Sequence, residues 1–576
     1  MSLTNLLQYA GLLLIVVLLV RPLGGYMARV FQGERTRADP LLRPLERGIY
    51  RLSGIDPQHE MNWKEYALAF VAFGLVGTLI LYVLLRLQSV LPWFNAAYQT
   101  TPLTPDLAMN TAISFATTTT WQAYGGETTM SYFSQIVGLA GQNFLTGAAG
   151  LAVGVAFVRG LAREQTTALG NFWVDVVRAM LWILLPLSLV GGLVLIAQGV
   201  PMNFAPYTAV TTLEGGTQVI AQGPVAALEW IKNLGTNGGG FFNSNAAHPY
   251  ENPTPLTNLL EALAIIVLPA AFTYTFGRMV GRLRQGWLLF VVMLILFVGG
   301  LAATAVAESA GNPLVAQASG SSLAATAGQP GGNMEGKEVR FGVGGSVLAA
   351  TVTSNGATGS YNSMHDSYTP LGGMIPLLNM LLGEIVFGGL GTGLYSILMV
   401  ALLGLFLTGL MIGRTPEYLG KKITPAEIKV IMLYNLAAPV TILILTALAV
   451  ATTAGLAGLT TNSGPHGLSE IFYAYASALA NNGQNFAGLS ANSPFYNIST
   501  AVAMMVGRFG LGIAALALAG LFAAQRNRRG SAALPTDTPL FGGIVIGTAL
   551  IVGALTYFPA LALGPIVEHF IMTAHP

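Results

Sequence analysis

Apolar residues run along this chain in blocks near the roughly 20 residues that a helix needs to cross a bilayer, and polar connections rich in Gly, Ser, Thr and Asn separate them. The blocks predict ten spans, near 3–22, 65–88, 131–159, 173–199, 256–279, 285–306, 373–412, 427–453, 498–524 and 540–563. Of 576 residues, 53% are hydrophobic and 9% charged, the latter about a third of the soluble norm. The expected fold class is therefore an all-α integral membrane protein. Met1 to Ala10 holds no basic side chain and Arg21 follows the first apolar block, so that block reads as a retained helix and not as a signal peptide.

The charges then orient the spans. Arg21, Arg29, Arg35, Arg37, Arg43, Arg47 and Arg51 follow the first span, Arg159 and Arg163 the third, Arg278, Arg282 and Arg284 the fifth. Arg414, Lys421 and Lys422 follow the seventh, and Arg526, Arg528 and Arg529 the ninth. The intervening connections hold little beyond Arg86, Lys232, Lys337 and Arg340. The positive-inside rule places the basic loops in the cytoplasm and both termini outside. The basic 21–51 segment faces membrane lipid on the same grounds, and orientation alone accounts for it. A net charge of +2 gives no nucleic-acid footprint, and the absence of cysteine removes thiolate chemistry and disulfides.

The external connections share one design: a helical stretch too short to span, a polar knot, then a span. That is the pattern of a re-entrant pore loop. The knots are Thr120-Trp121-Gln122, Thr236-Asn237-Gly238, Ser354-Asn355-Gly356 and Asn481-Asn482-Gly483. Their last residues lie 116, 118 and 127 residues apart. One Asn-Gly is an ordinary turn; four knots at one period mark four copies of a unit of span, loop and span. The units divide the chain into 61–165, 166–283, 284–423 and 424–530, flanked by 1–60 with the first span and by 531–576 with the last. Four such loops around one axis can offer rings of neutral oxygen to a dehydrated monovalent cation, and glycine can turn its carbonyl toward the axis. Gln122 stands in the place of the glycines, so the ring is expected to be asymmetric and built by one chain.

Two charges fall inside spans, where they are costly. Arg508 in the ninth and Glu384 at the start of the seventh read either as pore-facing groups or as members of a structural ion pair. Gly388, Gly389, Gly391 and Gly393 interrupt the seventh span and predict a kink or an unwound stretch, serving as a gate or as a site of close packing. The Gly/Ser/Ala-rich stretch from Glu308 to Gly345 reads as an external loop without chemistry of its own. A nucleotide cradle at Gly235–Gly240 is disfavoured, because charge asymmetry places those glycines outside.

The stretches TWQAYGGETTMSYFSQ (120–135), GTNGGGFFNSNAAHPYENPTP (235–255), MHDSYTPLGGM (364–374), GEIVFGGLGTGLYS (383–396), GRTPEYLGKKI (413–423) and NNGQNFAGLSANSPFYN (481–497) resemble the KdpA family, the potassium-transporting subunits of bacterial Kdp ATPases. The resemblance implies a channel-like potassium transporter fold and a filter of Thr120, Gln122, Gly238, Gly356, Asn481 and Gly483. Thr236, Asn237, Ser354, Asn355 and Asn482 stand beside them, and Asn355 takes a place where the family often has cysteine. It also implies K+ as the transported ion, a bacterial inner-membrane location, and the partner subunits KdpB, KdpC and the single-span KdpF. ATP would be hydrolysed on the P-type partner and not bound here, in keeping with a sequence that has neither a P-loop nor an Asp-Lys-Thr-Gly motif. Such complexes pass potassium sideways to the P-type subunit through a tunnel, with Arg414 of the GRTPEYLGKKI stretch a coupling candidate. A stand-alone channel or secondary transporter of the same architecture is the alternative.

Overall fold

A computed structural model describes residues 2–91, 102–242, 244–320, 322–324, 331–484, 486–527 and 534–574. Among them ten helices are long and apolar enough to cross a membrane: Leu3–Gln32, Trp63–Leu87, Ser134–Ala162, Phe172–Ala197, Pro255–Met279, Leu283–Ser319, Thr392–Met411, Pro425–Ala451, Pro494–Ala524 and Pro539–Ala574. Their ends are capped by the sequence. Asn62 accepts the N–H groups of Lys64 and Glu65 while Glu65 accepts that of Asn62, and Thr424 and Glu427 make the same reciprocal cap on the eighth span. Each cap satisfies helix-end donors that lipid cannot. The strands are three short two-stranded ribbons.

Burial sorts the spans. In Ser134–Ala162 the apolar window is 89% buried, against 22% in Trp63–Leu87 and Pro425–Ala451. The third span is therefore central, while Leu75, Leu79, Leu433 and Leu436 on the other two stay exposed toward lipid. Four shorter helices, Pro105–Ala116, Val225–Leu234, Gly342–Asn355 and Gly464–Ala480, fall between spans two and three, four and five, six and seven, and eight and nine. Most of their residues are buried. Each ends in a polar loop that leads back to the next span, so the architecture is a fourfold repeat of span, re-entrant helix and loop, and span.

The basic connections meet on one face. Arg163 pairs with Glu60 at 2.7 Å, Arg278 with Glu34 at 3.0 Å and Arg178 with Glu46 at 3.0 Å. Lys421 donates to the carbonyls of Arg163 and Gln525 at 2.7 and 3.0 Å. Arg528 and Arg529 lie outside the described residues.

The seventh span over 373–412, expected to be kinked or unwound at its glycines, is two helices, Pro370–Leu381 and Thr392–Met411, separated by the non-helical residues 382–391. The glycines of this stretch do interrupt the helix. Gly391 has φ +81°, and a Cβ there would lie 2.0 Å from the carbonyl oxygen of Gly150. Lys232 and Lys337 lie in the intervening connections but are buried, 2.6 Å from Glu229 and 2.7 Å from Glu308. The stretch from Glu308 to Gly345 is correspondingly not featureless, since Glu308 also accepts from Thr369 and Asn333.

Candidate functional site: a ring of four loops and the segment beneath it

Each re-entrant helix ends at a residue that breaks it, and the next residue turns to positive φ: Thr118 (64°), Thr236 (49°), Ala357 (49°) and, directly at the helix end, Asn481 (55°). Two residues further on stand Thr120 (50°), Gly238 (93°), Gly359 and Gly483 (82°). These two sets define the structural register of the loops.

The loops close on one another in order. Thr120 Oγ1 donates to the carbonyl of Asn237 at 2.6 Å, joining the first to the second. Gly238 pairs with Gly359 through backbone, joining the second to the third. A Cβ on Gly359 would lie 2.8 Å from the Asn482 carbonyl oxygen, which brings the third against the fourth. A Cβ on Gly483 would lie 1.7 Å from the Thr119 carbonyl oxygen, and Asn481 Nδ2 donates to Thr119 Oγ1 at 2.9 Å, returning the fourth to the first. The absence of a side chain at Gly483 is thus a condition of ring closure. The C-terminal ends of all four re-entrant helices adjoin this ring, and helix C-termini carry partial negative charge that favours a cation.

The structure brings Thr120, Thr236, Asn237, Gly238, Asn481, Asn482 and Gly483 together and shifts the register of two knots. Gln122 does not hold the place of a glycine; Thr120 does. The Gln122 amide instead straps the first loop to the second, its Oε1 accepting the Gly240 N–H at 2.7 Å and its Nε2 donating to the Gly240 carbonyl at 3.2 Å. In the third loop Gly359, not Gly356, aligns with Gly238 and Gly483. Gly356 caps its helix against Ile265, and Ser354 and Asn355 bond back to the helix at Ala350 and Thr351. Thr118, Ala357 and Gly359 carry no Asn-Gly signal; their places in the ring follow from where each re-entrant helix ends.

Beneath the ring lies a small cavity bounded by one residue of each loop, Thr118, Thr236, Ala357 and Asn481, together with Leu390 and Arg508. The non-helical 382–391 segment is fastened there at two points: the Leu390 N–H donates to Thr236 Oγ1 at 2.9 Å, and Asn482 Nδ2 donates to Glu384 Oε1 at 2.7 Å. Gly389 packs close to Ala357 and Thr236, while Gly388 and Gly393 abut each other and the Glu384 carbonyl. Arg508 sits on a π-helical turn, Val506–Gly510, donates to the Thr146 carbonyl at 2.6 Å and lies over the Phe70 ring. No carboxylate pairs with it among the described residues. Arg414 is exposed and is not brought to the ring. Of the eleven non-glycine residues with positive φ among the described residues, seven lie in the ring or in this segment, and strain concentrated in that way marks a functional site.

Residues 10–570 match the family described as "KdpA: Potassium-transporting ATPase A subunit". The chain belongs to the KdpA family. A protein named potassium-transporting ATPase potassium-binding subunit from Methylorubrum extorquens is 54% identical over 99% of this chain and 98% of its own length. Similarly named proteins from Rhodospirillum centenum and Sorangium cellulosum are 54% and 52% identical, over 100% of this chain and 98% and 100% of their own. The KdpA-family chain also shares its fold with the crystal structure of the potassium transporter TrkH from Vibrio parahaemolyticus, at TM-score 0.51 and 13% identity over 88% of this chain and 97% of that one.

Proposed function

We propose that this chain is the potassium-binding, ion-translocating subunit of an ATP-driven potassium importer. The observation that carries the reading is the closed ring of four loops from one polypeptide, lined by hydroxyl, amide and backbone groups with no carboxylate or cation in any of the four turns. Neutral oxygen suits a dehydrated monovalent ion, whereas calcium sites use carboxylates. Thr120, Thr236, Asn237, Gly238, Gly359, Asn481, Asn482 and Gly483 form the filter in this reading. Gln122 and Gly356 hold it, with Ser354 and Asn355 supporting the third turn. Glu384, Gly388, Gly389, Gly391, Gly393 and Arg508 control passage beneath.

The names of the full-length relatives support an ATPase subunit over a stand-alone channel or secondary transporter, a reading that rests on a fold shared at 13% identity. The partners are then a P-type subunit that hydrolyses ATP (KdpB) with KdpC and KdpF, and this chain itself binds no ATP. The basic face lies in the cytoplasm of a bacterial inner membrane, which leaves both termini outside. The four units over 61–165, 166–283, 284–423 and 424–530 each contribute one loop. Copurification with the P-type subunit, followed by ATPase measurement with and without potassium, tests the proposal. Potassium-stimulated hydrolysis is expected, and a chain that purifies alone and conducts potassium down its gradient would overturn it.

A further inference from the structure

The second loop is gripped from behind by an ion pair that the ring itself does not need. Lys232 lies in the last turn of the re-entrant helix Val225–Leu234 with its side chain fully buried. Its backbone carbonyl accepts the N–H groups of Asn237 and Gly238 at 2.8 and 3.0 Å, which fixes the start of the turn. Its ammonium lies 2.6 Å from Glu229 and 3.7 Å from Glu251. The Glu251 Oε1 oxygen in turn accepts the Phe241 N–H at 2.6 Å and the Phe242 N–H at 3.4 Å, which fixes the end of the turn. That oxygen stands so close that a Cβ on Gly240 would lie 2.7 Å from it. Residues 237–242 are therefore clamped on both flanks by one residue pair. All three charged groups are inaccessible to solvent, and a buried charge is retained only where its partners and hydrogen bonds are in place.

We propose that Lys232 and Glu251 are positioning residues for potassium selectivity, holding the Gly238-Gly239 turn at the spacing that distinguishes potassium from other monovalent cations. The inference rests on the reading of the ring as a potassium site. The clamp joins backbone to backbone through an ammonium and a carboxylate, so its stiffness depends on how the ammonium is shared between Glu229 and Glu251 behind the turn. The same pair also explains why this loop tolerates three consecutive glycines, which would otherwise make it the most pliable of the four.

The test uses the purified complex with Glu251→Gln, Lys232→Met and the double variant. Glu251→Gln keeps an acceptor oxygen for Phe241 and Phe242 but takes one of the two adjacent carboxylates from the ammonium, leaving it Glu229 at 2.6 Å. Each single variant is expected to raise the half-saturating potassium concentration about tenfold and to narrow the preference for potassium over rubidium and sodium. The double variant still leaves Glu229 without its ammonium, and because the three groups are coupled its loss should differ from the sum of the two single losses. Thermal stabilisation by potassium, which reports binding to whatever fraction folds, supplies a second readout. If wild type is stabilised by potassium while both single variants keep its half-saturating concentration and its ion preference, the clamp is only structural and the inference is overturned. If wild type is not stabilised at all, the reading of the ring fails instead.

Discussion

Replacing Gly483 by alanine adds one carbon to the ring at the point where the fourth loop meets the first. That Cβ would start 1.7 Å from the Thr119 carbonyl oxygen and 3.1 Å from the Trp121 nitrogen, both of them backbone atoms, with φ at +82°. Neither neighbour can rotate away as a flexible side chain would, so the two loops must separate by more than 1 Å to reach ordinary contact. A non-glycine residue held at positive φ costs about 1–3 kcal/mol. If only that strain is carried into the ion-bound state, the half-saturating potassium concentration rises about 5- to 150-fold, at 1.4 kcal/mol per decade. The assay is potassium-dependent ATPase of the purified complex, run beside Gly543→Ala. Gly543 has open space around its Cβ position and serves as the same substitution without the clash. Gly483→Ala is expected to fold, to lose affinity by at least the lower figure and to discriminate less against rubidium. Unchanged affinity and discrimination would refute the claim that ring closure at Gly483 shapes the ion site.

Arg508→Gln keeps a donor for the Thr146 carbonyl while removing a cation worth about 4 kcal/mol at 4 Å in an effective dielectric of 20, falling inversely with distance; passive rubidium flux into vesicles carrying the complex should rise, and an unchanged flux would exclude an electrostatic barrier. Glu384→Ala removes the acceptor of Asn482 Nδ2, a bond worth about 0.5–1.5 kcal/mol, so amide exchange in residues 382–391 should speed up relative to wild type. His466, near the start of the fourth re-entrant helix, is pulled down by burial but lifted more strongly by hydrogen bonds to Asp366 and Glu568, reaching about 10. Its pKa is raised above the unfolded 6.5, so its stabilisation is complete below about pH 6.5 and fades as pH climbs through about 10. The melting temperature should fall across that window in wild type, and His466→Gln should flatten the slope.

The spans and their alternating charge were legible because lipid imposes them. An apolar block of fixed length can be little else, and the pairs Arg163–Glu60 and Arg278–Glu34 gather the basic loops on one face. The knots were legible as polar breaks, yet their register was not. Asn-Gly signals a turn by composition, whereas the ring is set by where each helix ends, and Asn355 spends its side chain on its own helix. Gln122 showed a comparable ambiguity: its residue type fits an axis-facing amide, but two backbone groups of Gly240 lie within reach and claim it. Lys232 and Glu251 were invisible because buried charges pair across tertiary contacts. His466 likewise reaches Asp366 across 100 residues of sequence.

A ring that only chooses between ions needs nothing below it. Here the inner mouth is crossed by the 382–391 segment, tied to the second loop through Leu390 and Thr236 and to the fourth through Glu384 and Asn482. These loops are alternate members of the ring, so the segment is anchored on both sides of the mouth and not at one edge. At about 0.5–1.5 kcal/mol for each of the two bonds, freeing the segment costs roughly 1–3 kcal/mol, which favours the fastened arrangement about 5- to 150-fold. A cavity of about 100 Å³ lies beside the segment, lined among others by Glu384, Asn481, Gly507, Tyr434, Thr548 and Tyr557. If the ring is the potassium filter proposed above, an ion arriving at Asn481 meets a fastened floor and an adjoining side chamber, an arrangement that suits hand-over to an energy-spending partner and opposes free conduction.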